Sequence, residues 1–193
     1  MNLFSRFLQR PVFWVALAFA AFLLLPSFAL DYGLFEATRD ERLAAMGWHS
    51  LNISWLWFAP LVGFLLLPAL KLAPAVQAKS ELALAAVITA LVVISADLRH
   101  VSLGYAVIGL ALALIALATL ALARLKVLQG DKFIIASLLL IILLIALFIV
   151  FPTIAIFKAM FYDESGAFVP GQVLDILGRS YIVRVIGNSL MLS

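Results

Sequence analysis

The sequence contains no cysteine and few charged residues. Without cysteine, the chain cannot form disulfides, attack a substrate with a thiolate, or bind zinc or an iron–sulfur cluster through sulfur. Charged residues make up 12% of its 193 residues, whereas soluble domains carry about a quarter. Hydrophobic residues make up 66%, which is more than the interior of a small water-soluble domain can bury. The composition therefore indicates a membrane protein.

Several signatures of catalysis and nucleotide binding are also missing from the sequence. There is no Gly-x-x-x-x-Gly-Lys-Ser/Thr loop for ATP, no Gly-x-Ser-x-Gly nucleophile elbow and no His-Glu-x-x-His zinc motif. The two histidines, His49 and His100, make a poor metal site by themselves. No basic run indicates nucleic-acid binding. We therefore predict that the chain is not an enzyme, has no catalytic, cofactor-binding or metal-binding residues, and has no nucleic-acid partner.

Long apolar runs account for most of the chain. Each is about as long as a helix that crosses roughly 30 Å of hydrocarbon, and none alternates with the period of two that a barrel strand needs. The sequence thus predicts an all-α, polytopic membrane protein with five full transmembrane helices and the start of a sixth near Ile186. The predicted spans are Val12–Leu30, Leu51–Leu70, Leu82–Leu98, Leu103–Ala123 and Phe133–Phe157.

Short polar links separate these spans. Residues 36–46 have the pattern of a short amphipathic helix at the membrane interface. Residues 72–80, which contain Pro74 and Lys79, are predicted to be a link between the second and third spans. Arg99-His100 and Gly130-Asp131 are turn signals. After the fifth span, residues 162–166 predict a polar turn, and a short helix is expected over Gln172–Leu177.

The basic residues indicate the orientation, because Lys and Arg near the ends of spans favour the cytoplasmic side. With the N-terminus in the cytoplasm, seven basic residues lie inside and six outside. Arg179 and Arg184 lie far from the fifth span, and four remain outside when they are set aside. Three aromatic residues, Trp55, Trp57 and Tyr105, are predicted at the outer interface. We therefore predict a multi-pass protein of the bacterial inner membrane with a cytoplasmic N-terminus.

The first span has an alternative interpretation as a cleaved secretory signal. Arg6 and Arg10 precede the apolar run, and Ser27-Phe-Ala29 resembles a small-residue cleavage site. A retained anchor fits Pro26 and the four following spans better. The second span starts outside in both cases, so the remaining topology is the same.

The spans themselves have few polar features. None has a charge at its middle, and Asp97, at the outer end of the third span, comes nearest to being an intramembrane acid. Gly109, Ala113 and Ala116 form a small-residue face that predicts close helix packing. The mildly polar residues are predicted to bond to their own helices, and three prolines are predicted to kink helices. These residues are Ser54, Thr89, Ser95, Thr119, Ser137, Pro60, Pro68 and Pro152.

The region from Ile134 to Ser193 resembles the start of a bacterial ABC-importer permease domain, most closely the long, fused permeases of the ferric-iron uptake type. The resemblance is carried by a Leu/Ile-rich span that ends in Phe151-Pro-Thr-Ile-Ala-Ile-Phe-Lys-Ala-Met-Phe161, and by the outer turn Asp163–Phe168. The helix Gln172–Leu177 and the segment Tyr181–Ser193, with Asn188-Ser-Leu190, complete it. It covers about sixty residues, a third of the chain.

This resemblance implies two parts. Residues 1–127 are expected to be an N-terminal block of four transmembrane helices. Residues 128–193 are expected to begin the permease domain, with one full span, a periplasmic amphipathic segment and an incomplete next span. The cytoplasmic Glu-Ala-Ala loop on which such permeases dock their ATPase is not in this sequence; Glu36-Ala37-Thr38 does not fit it and lies on the predicted outer side. We therefore expect the N-terminal part of a longer permease.

The resemblance also implies the partners. An ATPase subunit would bind ATP, so no cofactor is expected in this chain, and a periplasmic binding protein would deliver ferric iron. The lipid bilayer is the remaining partner. The alternative is a small, complete integral membrane protein with a structural or assembly role and no transport activity of its own.

Overall fold

The computed structural model describes residues 10–30, 36–50, 54–99, 102–162, 168–169, 171, 184 and 188. The described chain is mostly helical and has no strand beyond two isolated bridges. It divides into two compact units, Met1–Leu140 and Ile141–Ser193. The α-helices are α1 Pro11–Leu24, α2 Arg39–Ala45, α3 Gly47–Ser50, α4 Ser54–Phe58, α5 Gly63–Leu66, α6 Pro74–Arg99, α7 Tyr105–Arg124, α8 Lys132–Ile145 and α9 Phe151–Phe161.

Helix α1 begins at Pro11, whose fixed φ suits a first helical residue, and it ends at Leu24. The prediction that the first span is helical as far as Leu30 is therefore wrong for residues 25–30. Pro26 disfavours a helical conformation at Leu25, which is extended (φ −117°, ψ 149°). The segment that follows hydrogen-bonds to residues before α7: the amide of Ala29 donates to the carbonyl of Ser102 at 3.0 Å.

The second predicted span is a helical run from Ser54 to Leu70 that changes type at its prolines. The 3-10 segments Ala59–Val62 and Leu67–Leu70 each have a proline in their first turn, Pro60 and Pro68. Proline has no N–H to continue an α-helical ladder, and a tighter 3-10 turn accommodates its ring. At both prolines, where the sequence predicts kinks, the structure has a change of helix type.

Helix α6 begins at Pro74, eight residues before the predicted start of the third span. The prediction that residues 72–80 form a polar link is wrong after Ala73, because the hydrophobic pattern located the lipid-length core of the helix and not its polar first turns. The fourth predicted span agrees closely with α7. The predicted turn at Gly130-Asp131 is present: Gly130 has φ +80°, and the carboxylate of Asp131 accepts the amide of Phe133 at 2.9 Å.

The fifth predicted span is a continuous helical run through α8 and α9, joined by a π segment at Ala146–Val150. Pro152 cannot donate to the carbonyl of Phe148, so the helical ladder is disturbed in the preceding turn, where the π segment lies. The sequence predicts a kink at Pro152, and the structure has a change of helix type just before it.

Three helices of the described chain are long and apolar enough to cross a membrane: Pro74–Leu98, Tyr105–Arg124 and Lys132–Lys158. The two shorter apolar runs, Pro11–Leu24 and Ser54–Leu70, coincide with the first and second predicted spans. The chain is therefore a mostly helical protein with apolar helices of membrane-spanning length.

The predicted amphipathic helix at residues 36–46 is present in shorter form as α2. Thr38 and Glu41 form a capping box in which the Thr38 amide donates to the Glu41 carboxylate at 2.8 Å, and the Glu41 amide donates to Thr38 Oγ1 at 3.4 Å. The hydrogen bonds from the backbone and side chain of Thr38 hold the pKa of Glu41 below its ordinary value of 4.5.

The core of the first unit lies between α1, the α4–α5 run, α6 and α7. Its largest buried side chains are Trp57, Phe22, Phe58 and Phe64. Successive helical runs alternate in direction: Phe28, just after α1, forms a bridge to Leu103 before α7. Trp57, near the start of the second run, bonds to Ser95, near the end of α6.

The predicted outer turn and the segments after it lie mostly outside the described residues. In the second unit, Tyr162 and Phe168 form an antiparallel bridge, and the amide of Val169 donates to the carbonyl of Phe161 at 2.8 Å. The predicted turn between these residues, the helix Gln172–Leu177 and nearly all of the incomplete sixth span are not among the described residues.

Candidate functional site

A buried ion pair links α6 and α7 at one end of the first unit. The Glu81 side chain is 2% exposed, and the Arg124 guanidinium, whose side chain is 35% exposed, donates to it through Nη2. Gln77 Nε2 donates to the other carboxylate oxygen at 3.0 Å. Arg124 Nε also donates to the carbonyl of Leu120 at 3.2 Å. Both carboxylate oxygens of Glu81 therefore have hydrogen-bond donors.

The helices place these two residues together because they run antiparallel. On α6, Ala78, Ala85 and Ile88 are buried with Glu81 at helical spacing and so share its face. On α7, the last turn brings Arg124 to the end at which α6 begins. The alanines keep the two backbones close at this level, which lets an arginine near one helix end reach a glutamate two turns inside the other.

Glu81 and Arg124 form an electrostatic clamp, which means that their opposite charges hold α6 against α7. Charged groups within apolar helices mark functional positions by default, and they persist when they are paired. Among the described residues, no group of three His, Cys, Asp or Glu side chains is arranged to hold a metal ion. The pair therefore joins α6 and α7 by opposite charges, and the partly exposed edge of Arg124 remains accessible to a neighbouring group.

A second polar contact joins the opposite ends of the helical runs. Trp57 Nε1 donates to Ser95 Oγ at 2.6 Å, and the Trp57 ring is fully buried. That Trp57 lies at the outer membrane interface stays a prediction, and the structure shows that its N–H finds a partner within the core. Trp55 and Tyr105 are exposed, at 37% and 41%.

Of the histidines and the intramembrane acid that the sequence singled out, the structure describes His49 and Asp97. His49 lies in α3 with its ring 5.9 Å from that of Trp48. Asp97 is exposed in the last turns of α6, and His100 lies outside the described residues. A pairing of His49 with His100 therefore lies outside the described residues.

Most of the mildly polar residues behave as predicted. The hydroxyls of Thr89 and Thr119 donate to the carbonyls of Ala85 and Ile115, at 2.9 and 2.7 Å. Ser95 likewise donates to the carbonyl of Leu91. Ser54 is different: its hydroxyl is buried with no hydrogen-bond partner among the described residues, so the prediction is wrong there.

Sequence reasoning missed the pair of Glu81 and Arg124. Glu81 lies just before Leu82, where the third predicted span begins, so the hydrophobic pattern does not place it inside a span. Two signals point to it: Gln77 lies four residues before it on the same helical face, and Arg124 lies at a similar distance from the turn that joins the two helices.

Comparison with known protein sequences identifies relatives of this chain, which the geometry alone does not. No protein-family model matches the chain, and no solved structure matches it. It is 60% identical over 181 residues to the ferric transport system permease protein FbpB of Actinobacillus pleuropneumoniae, covering 94% of this chain and 26% of that protein. It is 57% identical over 148 residues to the putative ferric transport system permease protein FbpB 1 of Haemophilus influenzae, covering 77% of this chain and 23% of that protein.

The chain thus spans about a quarter of the length of the curated relatives it matches. Identity at this level over nearly all of the chain establishes homology and confirms the resemblance drawn from residues 134–193. The chain belongs to the same family as these ferric transport permeases and corresponds to a segment of about a quarter of their length.

Proposed function

We propose that this chain forms part of the membrane-embedded permease subunit of an ATP-binding-cassette importer for ferric iron. The observation that carries the proposal is the 60% identity over 94% of the chain to a protein named as a ferric transport permease. Because the chain matches about a quarter of that relative, transport belongs to the whole subunit. ATP would bind to a partner ATPase, and ferric iron would be cargo delivered by a periplasmic binding protein.

The proposed placement is the bacterial inner membrane, with five full spans, the start of a sixth and a cytoplasmic N-terminus. Two observations support it. The helical runs of the first unit alternate in direction, as successive spans do. The basic residues near span ends favour the same side for the links that follow the second and fourth spans.

The proposed domain organisation follows the family resemblance. Residues 1–127 form an N-terminal block of four helices, and residues 128–193 begin the transport domain. The pair of Glu81 and Arg124 belongs to the first block, where it fixes α6 against α7. On this proposal the block is a support for the transport domain and contains no enzymatic site.

Iron uptake in the organism that carries the gene tests this function. Deleting the coding region should reduce uptake of radioactive ferric iron severalfold under iron limitation, and restoring it should recover uptake. Uptake of a sugar or amino acid through a different importer is the control and should not change. Undiminished iron uptake in the deletion strain would contradict the proposal.

The alternative is a small integral membrane protein with a structural or assembly role. It is favoured by the closed hydrophobic core that the first unit builds from its own helices. Affinity purification from membranes separates the two: a permease subunit should bring an ATPase subunit with it. A chain that purifies alone, and whose loss leaves iron uptake unchanged, would favour the alternative.

A further inference from the structure

An open apolar groove of about 430 Å³ runs between the second helical run and α6. Its volume is in the range of small-molecule sites, and its lining is predominantly apolar. The residues that line it are Gly63, Leu66, Leu67, Leu70, Ser80, Ala83, Leu84 and Val87. On each wall these residues follow the spacing i, i+3, i+4, i+7, so each wall is a single helical face.

The two walls of the groove touch at one level, where a Cβ placed on Gly63 would lie 2.7 Å from a methyl of Leu84. At the other end, called here the open end, Leu70 and Ser80 are the lining residues nearest in sequence to the turn that joins the two helical runs. An elongated apolar group can lie along the walls from this turn toward Gly63.

Two lysines flank the open end. Lys71 follows Leu70 and is exposed, and Lys79 precedes Ser80 and is also exposed. Neither ammonium group forms an ion pair within the part of the chain that the structure describes. Glu81, the acid nearest in sequence, is turned toward α7 and held by Arg124. The open end of the groove therefore has the Ser80 hydroxyl in its lining and two lysines next to its lining residues, while Glu81 is already paired.

We propose that this groove is a binding site for an anionic glycerophospholipid, with one acyl chain between the two walls and the phosphate at Lys71, Lys79 and the Ser80 hydroxyl. The proposal goes beyond iron transport and rests on the membrane placement above. Basic pockets between membrane helices on the cytoplasmic side bind anionic headgroups, and the positive-inside count puts both lysines on that side. A zwitterionic lipid would fill the groove without satisfying the two ammonium groups.

Native mass spectrometry of the purified full chain tests the site. The protein is titrated in detergent with phosphatidylglycerol or phosphatidylcholine of identical acyl chains, and bound lipids are counted. The variant Lys71→Gln/Lys79→Gln should lose the preference for phosphatidylglycerol by up to about thirtyfold, because each lysine near an anionic group contributes about 1 kcal/mol. The matched control, Lys126→Gln/Lys132→Gln, removes two exposed lysines from the other link on the same predicted side and should retain it.

A second variant distinguishes recognition of the lipid headgroup from binding of the acyl chain in the groove. Ala83→Phe keeps both lysines but fills the groove with an aromatic ring, and it should weaken binding of both lipids. Equal preference in the wild type and the double lysine variant would overturn the proposal, as would unchanged binding by Ala83→Phe. A dimer without bound lipid would show that a second copy covers the groove instead.

Vesicle flotation, measured in parallel, distinguishes failure of this proposal from failure of the membrane placement. A chain that inserts into vesicles but has no preference for phosphatidylglycerol contradicts the lipid site alone. A chain that does not insert contradicts both.

Discussion

A carboxylate among apolar helices is tolerated when another group matches its charge, and Glu81 depends on Arg124 in this way. The dependence is unequal, because Glu81 is 2% exposed while Arg124 is 35% exposed. Without Glu81, the guanidinium still reaches the polar surroundings through its exposed edge and keeps its bond to the Leu120 carbonyl. Without Arg124, the buried carboxylate keeps Gln77 as its remaining donor.

The two single variants should therefore differ in stability. Arg124→Gln should lower the free energy of unfolding by about 3 kcal/mol, the low end for leaving a buried charge unpaired, and Glu81→Gln by clearly less. The double variant Glu81→Gln/Arg124→Gln should be more stable than Arg124→Gln alone, because it leaves no buried charge. Unfolding in mixed micelles with increasing denaturing detergent measures all three.

Lys126→Gln is the control for these variants, since Lys126 is exposed near Arg124 and forms no ion pair with a described residue. It should change stability by no more than about 0.5 kcal/mol. Two results would contradict the dependence of Glu81 on Arg124. One is an equal loss of unfolding free energy in the two single variants, and the other is a double variant less stable than Arg124→Gln.

Residue-level reasoning from sequence located the residues that act within one helix and missed those that act between helices. The bonds of Thr89 and Thr119 to their own helix follow from local spacing, so they could be predicted. The partner of Glu81 depends on which helices are neighbours and where α6 begins. The bond of Trp57 to Ser95, 38 residues away, likewise depends on which helices are neighbours.

At the scale of elements, the contact of α1 with α7 depends on the absence of a side chain at Gly109. A Cβ at this position would lie 2.5 Å from the Cβ of Ala21, which is closer than two such atoms approach. Ala21 has no rotamer by which to move away, so the helices themselves must separate. The small-residue face predicted from Gly109, Ala113 and Ala116 packs closely at Gly109 and at Ala113, which is fully buried, while Ala116 is half-buried.

Gly109→Ala should consequently destabilise the protein. An alanine in a helix interior gains about 1 kcal/mol in helix propensity over glycine, whereas an extra methyl in a packed interface costs about 1–3 kcal/mol. With the nearest atom rigid, the packing cost should exceed the gain. The paired variant Ala21→Gly/Gly109→Ala moves the methyl to the other helix and should recover much of the loss in the same unfolding assay.

Ala86→Gly serves as a reference for propensity, because Ala86 is exposed on α6. Its cost measures the helix-propensity term without the close contact. A Gly109→Ala variant more stable than the wild type, by the amount that Ala86→Gly loses, would show that α1 and α7 separate freely.

The bounds of a helix could be predicted from the sequence where hydrophobicity alone determines them. They could be predicted less well where a proline or a polar first turn determines them. The bounds of α7 were predicted closely because glycine and a turn flank an unbroken apolar run. Helix α1 ends early because of Pro26, although the apolar run continues to Leu30. Helix α6 begins before the predicted span because its polar first turns are helical and lie beside α7. A hydropathy window misses these turns because their polar residues score low.

At the scale of the whole molecule, the number of crossings depends on the two shorter apolar runs. Helix α1 has 14 residues and is about 21 Å long, less than the roughly 30 Å of a hydrocarbon core. The run from Ser54 to Leu70 is interrupted by prolines. If both runs cross, Asp40 lies on the opposite side from Ala73; if neither crosses, the two residues share a side. Helices α6 and α7 separate Ala73 from Ser102, and Ser102 from Val127, in both cases.

The missing cysteine makes this distinction measurable, because a single introduced cysteine is then the one thiol in the protein. Asp40→Cys, Ala73→Cys, Ser102→Cys and Val127→Cys are substitutions at exposed positions that preserve every basic residue. With five spans, a membrane-impermeant maleimide applied to intact spheroplasts should label the cysteines at 40 and 102, and those at 73 and 127 only after permeabilisation. Labelling at 102 alone in intact spheroplasts would mean that the run from Ser54 to Leu70 does not cross. Labelling at 73 and 127 in place of 102 would reverse the orientation that the lysines and arginines predict.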